Sequence, residues 1–368
     1  MERVKIDDVL KYEQPTKYIV ETENYHDDFE IPVLTAGKSF VLGYTNEVSG
    51  IFNQIPVIIF DDFTTAFHYV DFPFKVKSSA MKILKIVEEK ADLKYLYYKM
   101  QTISVDKDLH KRYWISKYSQ LEISLPPLST QKNIAAKLDK AQEIISYNKQ
   151  LLEKYDKLTQ SLFIDMFGDP VRNEKGWEKV KLGNVSKVRI GPFGSLLHQE
   201  DYIEGGVPLV NPSHIKNGKI LIDKKLTISS DKIKELESYR LKEGDVILAR
   251  RGEMGRCAIV NKIEDGYLCG TGSIFIRPND ENLDELYLYK VLSSNSFKNI
   301  LENSAKGITM KNLNSKIVFD LDIPLPSMKL QDRFALSIEK IEIQKQWAQE
   351  TLVKSEELFQ SLLKESFK

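Results

Sequence analysis

The sequence predicts an α/β (α+β) protein: two globular domains in a pseudo-two-fold arrangement, separated by a pair of long antiparallel coiled-coil helices. Three observations carry this. The stretch LPPLSTQKNIAAKLDKAQEIISYNKQLLEKYDKLTQSLFIDMFG at 125–168 returns without a gap as LPSMKLQDRFALSIEKIEIQKQWAQETLVKSEELFQSLLKESFK at 325–368. Both copies place apolar residues at alternating spacings of four and three, the seam of a coiled coil. A weaker echo, ERVKIDDV at 2–9 against EKVKLGNV at 178–185, opens each half with a short strand and a turn.

The elements follow in chain order. The first domain spans 1–128. Its short β-branched and aromatic runs are broken by Gly, Pro, Asn and Asp, the pattern of an irregular, mostly antiparallel sheet. IPVIIF at 55–60 reads as a strand, and ADLKYLYYKMQTI at 91–103 has helical spacing. The first long helix spans 129–168. Pro126 and Pro127 precede it, no Pro or Gly interrupts it, and Gly168 and Pro170 end it. Its seam runs Ile134, Leu138, Ala141, Ile145, Asn148, Leu152, Tyr155, Thr159, Leu162 and Met166. The second domain spans 169–326, with GDVILARR at 244–251 as a strand and DELYLYKVLSSNSFKNIL at 284–301 as a helical stretch. The second long helix spans 327–368, after Pro324 and Pro326. Its seam runs Phe334, Ile338, Ile341, Lys345, Ala348, Leu352, Ser355, Phe359, Leu362 and Ser366.

About 38 helical residues make a rod of roughly 55–60 Å. A stripe of that length does not stand free in water. Packing the two copies on each other, antiparallel, puts one domain at each end. The alternative is that each helix packs on its own domain. Asn148, aligned with Ala348, either sets the register of the seam or sits at its solvent edge.

The chain's 368 residues suffice for two domains. Hydrophobic and charged fractions of 42% and 29% are those of a soluble globular protein. No apolar run approaches the roughly 20 residues of a membrane helix. MERVKIDDVL does not open like a signal peptide. The expected location is the cytoplasm. Cys257 and Cys269 are accordingly expected as reduced, buried thiols rather than a disulfide. Basic and acidic residues number 53 each, so net charge neither advertises nor excludes nucleic acid.

Motifs of catalysis are missing. There is no Walker loop, no H-E-x-x-H and no G-x-S-x-G. The five histidines and two cysteines lack metal-ligand spacing. NPSH at 211–214 only partly matches an amino-methyltransferase motif, and EEK at 88–90 reads as the charged lead-in to a helix. What remains are basic and aromatic clusters in turn-like contexts. HKRYW at 110–114 contributes Lys111, Arg112 and Tyr113 just before the first long helix. AKGITMKN at 305–312, with Lys306 and Lys311, holds the comparable place before the second. Arg250, Arg251 and Arg256 bracket a Gly-rich turn. Guanidinium forks in such turns suit phosphates and guanine edges; ordinary solvated surface is the plain alternative.

Two divergent domains, each followed by a long helix opened by an LPPLxxQ-like phrase, resemble the specificity (S) subunits of type I restriction–modification systems. The phrases SLPPLSTQKNIAAKLD and DIPLPSMKLQDRFALSIEKI are similar to the starts of that family's two conserved regions. GPFGSLL, GDVILARRGEMGRCAIV, TGSIFIRP, IPVLTAGKSFVLGYT and IPVIIFDDFT resemble parts of its target-recognition domains. The resemblance implies that domains 1–128 and 169–326 each read one half of a bipartite double-stranded DNA target. It implies that the helices hold the halves at a fixed spacing and dock two modification (methyltransferase) subunits, which restriction (endonuclease/translocase) subunits then join. S-adenosylmethionine, ATP and Mg are expected in those partners, with no cofactor or metal in this chain and no catalysis by it. Unlike domains imply an asymmetric target. Two other readings stay open at this level. One is a specificity subunit whose single partner fuses modification and cleavage; the other is a coiled-coil scaffold that binds no DNA.

Overall fold

The computed structural model describes residues 2–35, 39–87, 89–104, 112–223, 225, 227–304 and 312–368. The chain divides into two compact units, Met1–Gln150 with Ala348–Lys368, and Leu151–Trp347. Each unit therefore includes part of both long helices.

In the first unit, β1 (Glu2–Lys5) runs straight into a single helical turn, α1 (Ile6–Val9). Seven strands follow: β2 (Leu10–Glu13), β3 (Ile31–Leu34), β4 (Val41–Thr45), β5 (Val57–Asp61), β6 (Phe67–Val70), β7 (Lys75–Val76) and β8 (Met81–Ile86). Helices α2 (Leu93–Gln101) and α3 (Tyr113–Ser116) and strand β9 (Glu122–Leu125) lead into the long helix α4 (Leu128–Phe167). The main sheet is antiparallel in the order β2-β8-β5-β6. A smaller sheet runs β4-β3-β7, with β3 and β7 parallel, and β1 pairs with β9. Successive strand residues point to opposite faces, and here both faces are covered. Ile58 and Phe60 enter one core with Leu96 and Trp114. Val57 and Ile59 enter another with Phe52 and Phe74. That is why β5 reads as a continuous apolar run.

The second unit repeats this plan with different residues. Strand β10 (Lys179–Lys181) leads into the turn α5 (Leu182–Val185), then β11 (Ser186–Ile190), β12 (Tyr202–Ile203), β13 (Val207–Val210), β14 (Ile215–Lys216), β15 (Lys219–Ile220) and β16 (Thr227–Ile228). Helix α6 (Ser230–Glu235) precedes β17 (Val246–Ala249), β18 (Cys257–Ile259), β19 (Leu268–Cys269) and β20 (Ser273–Pro278). Helices α7 (Glu285–Ser293), α8 (Asn295–Ser304) and α9 (Ser315–Phe319), then β21 (Asp322–Pro324), lead to the long helix α10 (Met328–Ser366). The main sheet is β11-β20-β17-β18, the second is β12-β16-β13-β19 with a parallel β13–β19 pair, and β10 pairs with β21. Val246 and Leu248 face one core, Ile247 and Ala249 another. The expected helix at 284–301 is two helices. Ser294 turns extended (φ −65°, ψ 147°), and its hydroxyl accepts the Phe297 N–H at 3.3 Å, capping the second.

Within each unit the two long helices pack antiparallel. In the first, Ile134 and Phe367 share one core, and Lys149 pairs with Glu356 at 3.1 Å, so rising numbers on α4 meet falling numbers on α10. In the second, Phe163 and Phe167 lie 5.8 and 5.2 Å from Phe334, and Lys345 pairs with Asp156. Leu138, Ala141, Ile145, Phe334, Ile338, Ala348, Leu352 and Phe359 are buried; Ile134, Leu152, Leu162, Ile341 and Leu362 are half-buried. Asn148 donates its amide to the Ile144 carbonyl of its own helix at 2.9 Å. Cys257 and Cys269 are buried free thiols, and burial pushes the Cys257 thiol up to about 12. No helix among the described residues is long and apolar enough to cross a membrane.

Candidate nucleic-acid interface

One end of the second unit's main sheet gathers its turns. The close of β17, the openings of β18 and β20 and the segment after β11 meet there. The packing excludes side chains: Gly191 donates to the Ser273 carbonyl at 3.0 Å, and a Cβ on it would lie 2.1 Å from the Gly270 oxygen. Phe193, just beyond, is 59% exposed. Arg251 is exposed at the head of the β17–β18 turn, where Gly252 takes φ +74°. Arg250 points inward and is 8% exposed. Its Nε donates to Asn312 Oδ1 at 2.8 Å and to the Leu313 carbonyl at 3.0 Å. Burial, then the charge of Arg251, lowers its pKa. The opposite end of the sheet is closed by a fork: Arg277 meets the fully buried Asp245 at 2.6 and 2.7 Å.

The matching end of the first unit's sheet carries different chemistry. The Asp61 carboxylate accepts the Phe63 N–H at 2.9 Å and the Thr64 hydroxyl, shaping the β5–β6 turn. That turn leaves Phe63 58% exposed. Asp62 is buried; it accepts the Trp114 N–H at 2.8 Å, and Lys82, also buried, lies 3.7 Å away. Arg112 is exposed beside it.

Both sheets are tied to the long helices by the same device. The fully buried Gln131 accepts the Asp92 N–H at 2.9 Å and donates to the carbonyls of Lys90 (2.8 Å) and Pro126 (2.7 Å). The fully buried Gln331 accepts the Asp284 N–H at 3.0 Å and donates to the carbonyls of Asn282 and Pro326, both at 2.8 Å. Asp92 and Asp284 cap α2 and α7. The hydroxyls of Tyr95 and Tyr287 close the same knot on the carbonyls of Ser124 and Pro324. Among the described residues, no three His, Cys, Asp or Glu side chains gather as a metal site.

The family model of the type I restriction modification DNA specificity domain matches residues 1–155 and again 174–348. The chain belongs to this specificity family. The specificity subunit of the Escherichia coli type I restriction enzyme EcoR124I/EcoR124II is 32% identical over 367 residues, spanning 93% of this chain and 87% of the relative. That of MjaVIII from Methanocaldococcus jannaschii is 24% identical over 383 residues, spanning 93% and 86%. The S subunit of a type I system from M. genitalium shares the fold, with a TM-score of 0.62 at 17% identity over 100% of this chain and 96% of that one. Like its family, the chain is a DNA-specificity subunit and not an enzyme.

Placed in this specificity subunit, the residues expected to touch DNA divide three ways. Lys111, Lys306 and Lys311 lie outside the described residues. Arg112 and Arg251 are exposed at the two sheet ends, and Arg256 is half-buried with its Nε 3.6 Å from Glu253. Tyr113 and Arg250 are buried rather than at the surface. Tyr113 is 4% exposed within the core that holds Trp114 and Phe60, because α3 turns that face inward. Arg250 braces the chain at 312–313. Phe63 and Asn312 lie inside the stretches IPVIIFDDFT and AKGITMKN, but sequence reasoning did not single them out. Gln131 and Gln331 close the LPPLxxQ-like phrase in both copies and were given no role; their repetition at the mouths of both helices was the available signal.

Proposed function

We propose that each unit reads one half of a bipartite, asymmetric DNA target for a type I modification and restriction complex. The observation that carries this is one sheet plan built twice with unlike turns at the same end: Phe63 and Arg112 in one unit, Arg251 and Asn312 in the other. In this reading the long helices fix the distance between half-sites. S-adenosylmethionine, ATP and Mg belong to the partner subunits, and the complex works in the cytoplasm. The decisive experiment is a methylome of the host with and without this gene. Deletion is expected to remove one two-part adenine-methylated motif with a fixed gap. An unchanged methylome in a host that expresses the partner methyltransferase refutes the reading.

Two modification subunits need two like surfaces. Tyr147 and Trp347 are 62% and 57% exposed, and Leu158 and Leu358 are 49% and 52% exposed. The members of each pair stand 200 positions apart, one residue before a seam position and so about 100° round the helix from it. Exposed aromatic and aliphatic residues at matched sites suit protein partners. Tyr147→Ala with Trp347→Ala is expected to weaken capture of the modification subunit about tenfold or more, the scale of an interface hot spot. Calorimetry or a pull-down titration measures it; unaltered affinity places the docking elsewhere.

A further inference from the structure

Asp62 and Arg250 occupy the same place in two copies of one fold. Each follows the last paired residue of its sheet's central strand: Asp61 pairs with Met81, and Ala249 with Ser273. Each main-chain carbonyl accepts the N–H of an equivalent residue, Tyr113 at 3.1 Å and Leu313 at 3.0 Å, themselves 200 positions apart. Each side chain is buried and grips that same returning chain with opposite polarity. The Asp62 carboxylate accepts the Trp114 N–H; the Arg250 guanidinium donates to Asn312 Oδ1 and the Leu313 carbonyl. Each is backed from behind: Asp62 by Lys82, and Arg250 by the Thr271 carbonyl at 3.4 Å.

We infer that Asp62 and Arg250 are equivalent positioning residues of opposite charge, which present Arg112 and Asn312 as specificity-determining side chains at the two reading ends. The inference rests on the function proposed above and adds which residues discriminate. Arg112 immediately precedes the anchored pair Tyr113–Trp114, and its exposed guanidinium offers a donor fork for a guanine edge. For Asn312 the chemistry is narrower. A guanidinium only donates, so the amide oxygen of Asn312 must face Arg250. What remains for a ligand is the amide N–H, a donor that selects an acceptor such as a purine N7 and turns away an exocyclic amine. Because the anchors differ in sign, the returning segments are not interchangeable between units. A 112–114 segment in the second unit meets a donor where its Trp114 N–H requires an acceptor.

The test uses the full chain assembled with its modification subunits, with methylated motifs resolved separately for each half-site. Asp62→Asn and Arg112→Ala are expected to raise methylation of sites mismatched in the first unit's half about tenfold. The other half and the spacer stay unchanged. Arg250→Gln and Asn312→Ala are expected to do the same for the second unit's half only. Melting curves accompany each variant; where an anchor variant does not fold, the exposed Arg112→Ala and the half-buried Asn312→Ala decide. Equal relaxation of both halves, or of neither, overturns the inference while a wild-type two-part motif keeps the functional reading intact. A wild-type complex that leaves no two-part motif removes that reading, and the inference with it.

Discussion

Removing one heptad from each long helix, Glu143–Lys149 together with the facing Leu352–Leu358, is expected to abolish methylation at the native spacing. Both deletions fall within the first unit, where α4 and α10 run antiparallel and Lys149 meets Glu356. Seven residues carry about two helical turns, so the seam stays on the same face to within about 20°. The rod loses about 10 Å, the rise of about three base pairs. Three base pairs also turn one half-site about 100° around the duplex axis relative to the other. Any motif that survives must therefore keep both half-sites and carry a gap shorter by about three base pairs. Deleting Glu143–Lys149 alone is the control: it leaves seven residues of α10 without their partners and lowers stability without defining a new gap. A methylome with the native gap after the double deletion would show that the helices are not the ruler.

The helices were legible because their signal is local. A spacing of four and three with Pro before it sits within one window of sequence, and a related stretch with the same spacing returns 200 residues on. The burial of Leu138, Ala141 and Ile145, and of Phe334 and Ile338, follows that spacing. The strand-and-turn openings at 2–9 and 178–185 were legible for the same reason. The sheets were legible only at IPVIIF and GDVILARR, which become β5 and β17. Their strands run from two to six residues, and the order β2-β8-β5-β6 depends on crossovers that no short window contains. The reading ends were half legible. Arg250 and Arg251 look alike in sequence, yet one is buried and one exposed. What separates them is Asn312 and Leu313, over sixty residues further on. Likewise Tyr113 reads as part of a basic-aromatic surface cluster until Phe60 and Trp114 claim its ring for the core. In both cases a long-range partner overrides a local pattern.

The glutamine knots give the largest expected loss of stability from a single exchange. Gln131→Ala leaves the Pro126 carbonyl without its buried donor, and removes the partners of the Asp92 N–H and the Lys90 carbonyl. An unmet buried group costs about 1–3 kcal/mol, and groups that water reaches cost less. The sum is roughly 2–3 kcal/mol, and for a unit of this size the melting midpoint falls by about 5–10 °C. Gln331→Ala is expected to do the same to the second unit through Asp284, Asn282 and Pro326. The isosteric Gln131→Glu separates hydrogen bonding from packing. It keeps the volume but turns an oxygen toward the two carbonyls that Nε2 now serves, and it places a carboxylate where a fully buried neutral amide stood. It is expected to be less stable than Gln131→Ala near neutral pH and to recover part of the difference in acid, where a protonated carboxyl can again donate to one carbonyl. Calorimetric melts at two pH values measure this. A Gln131→Glu chain as stable as the parent would mean that filling the space, and not the three hydrogen bonds, is what joins each sheet to its helix.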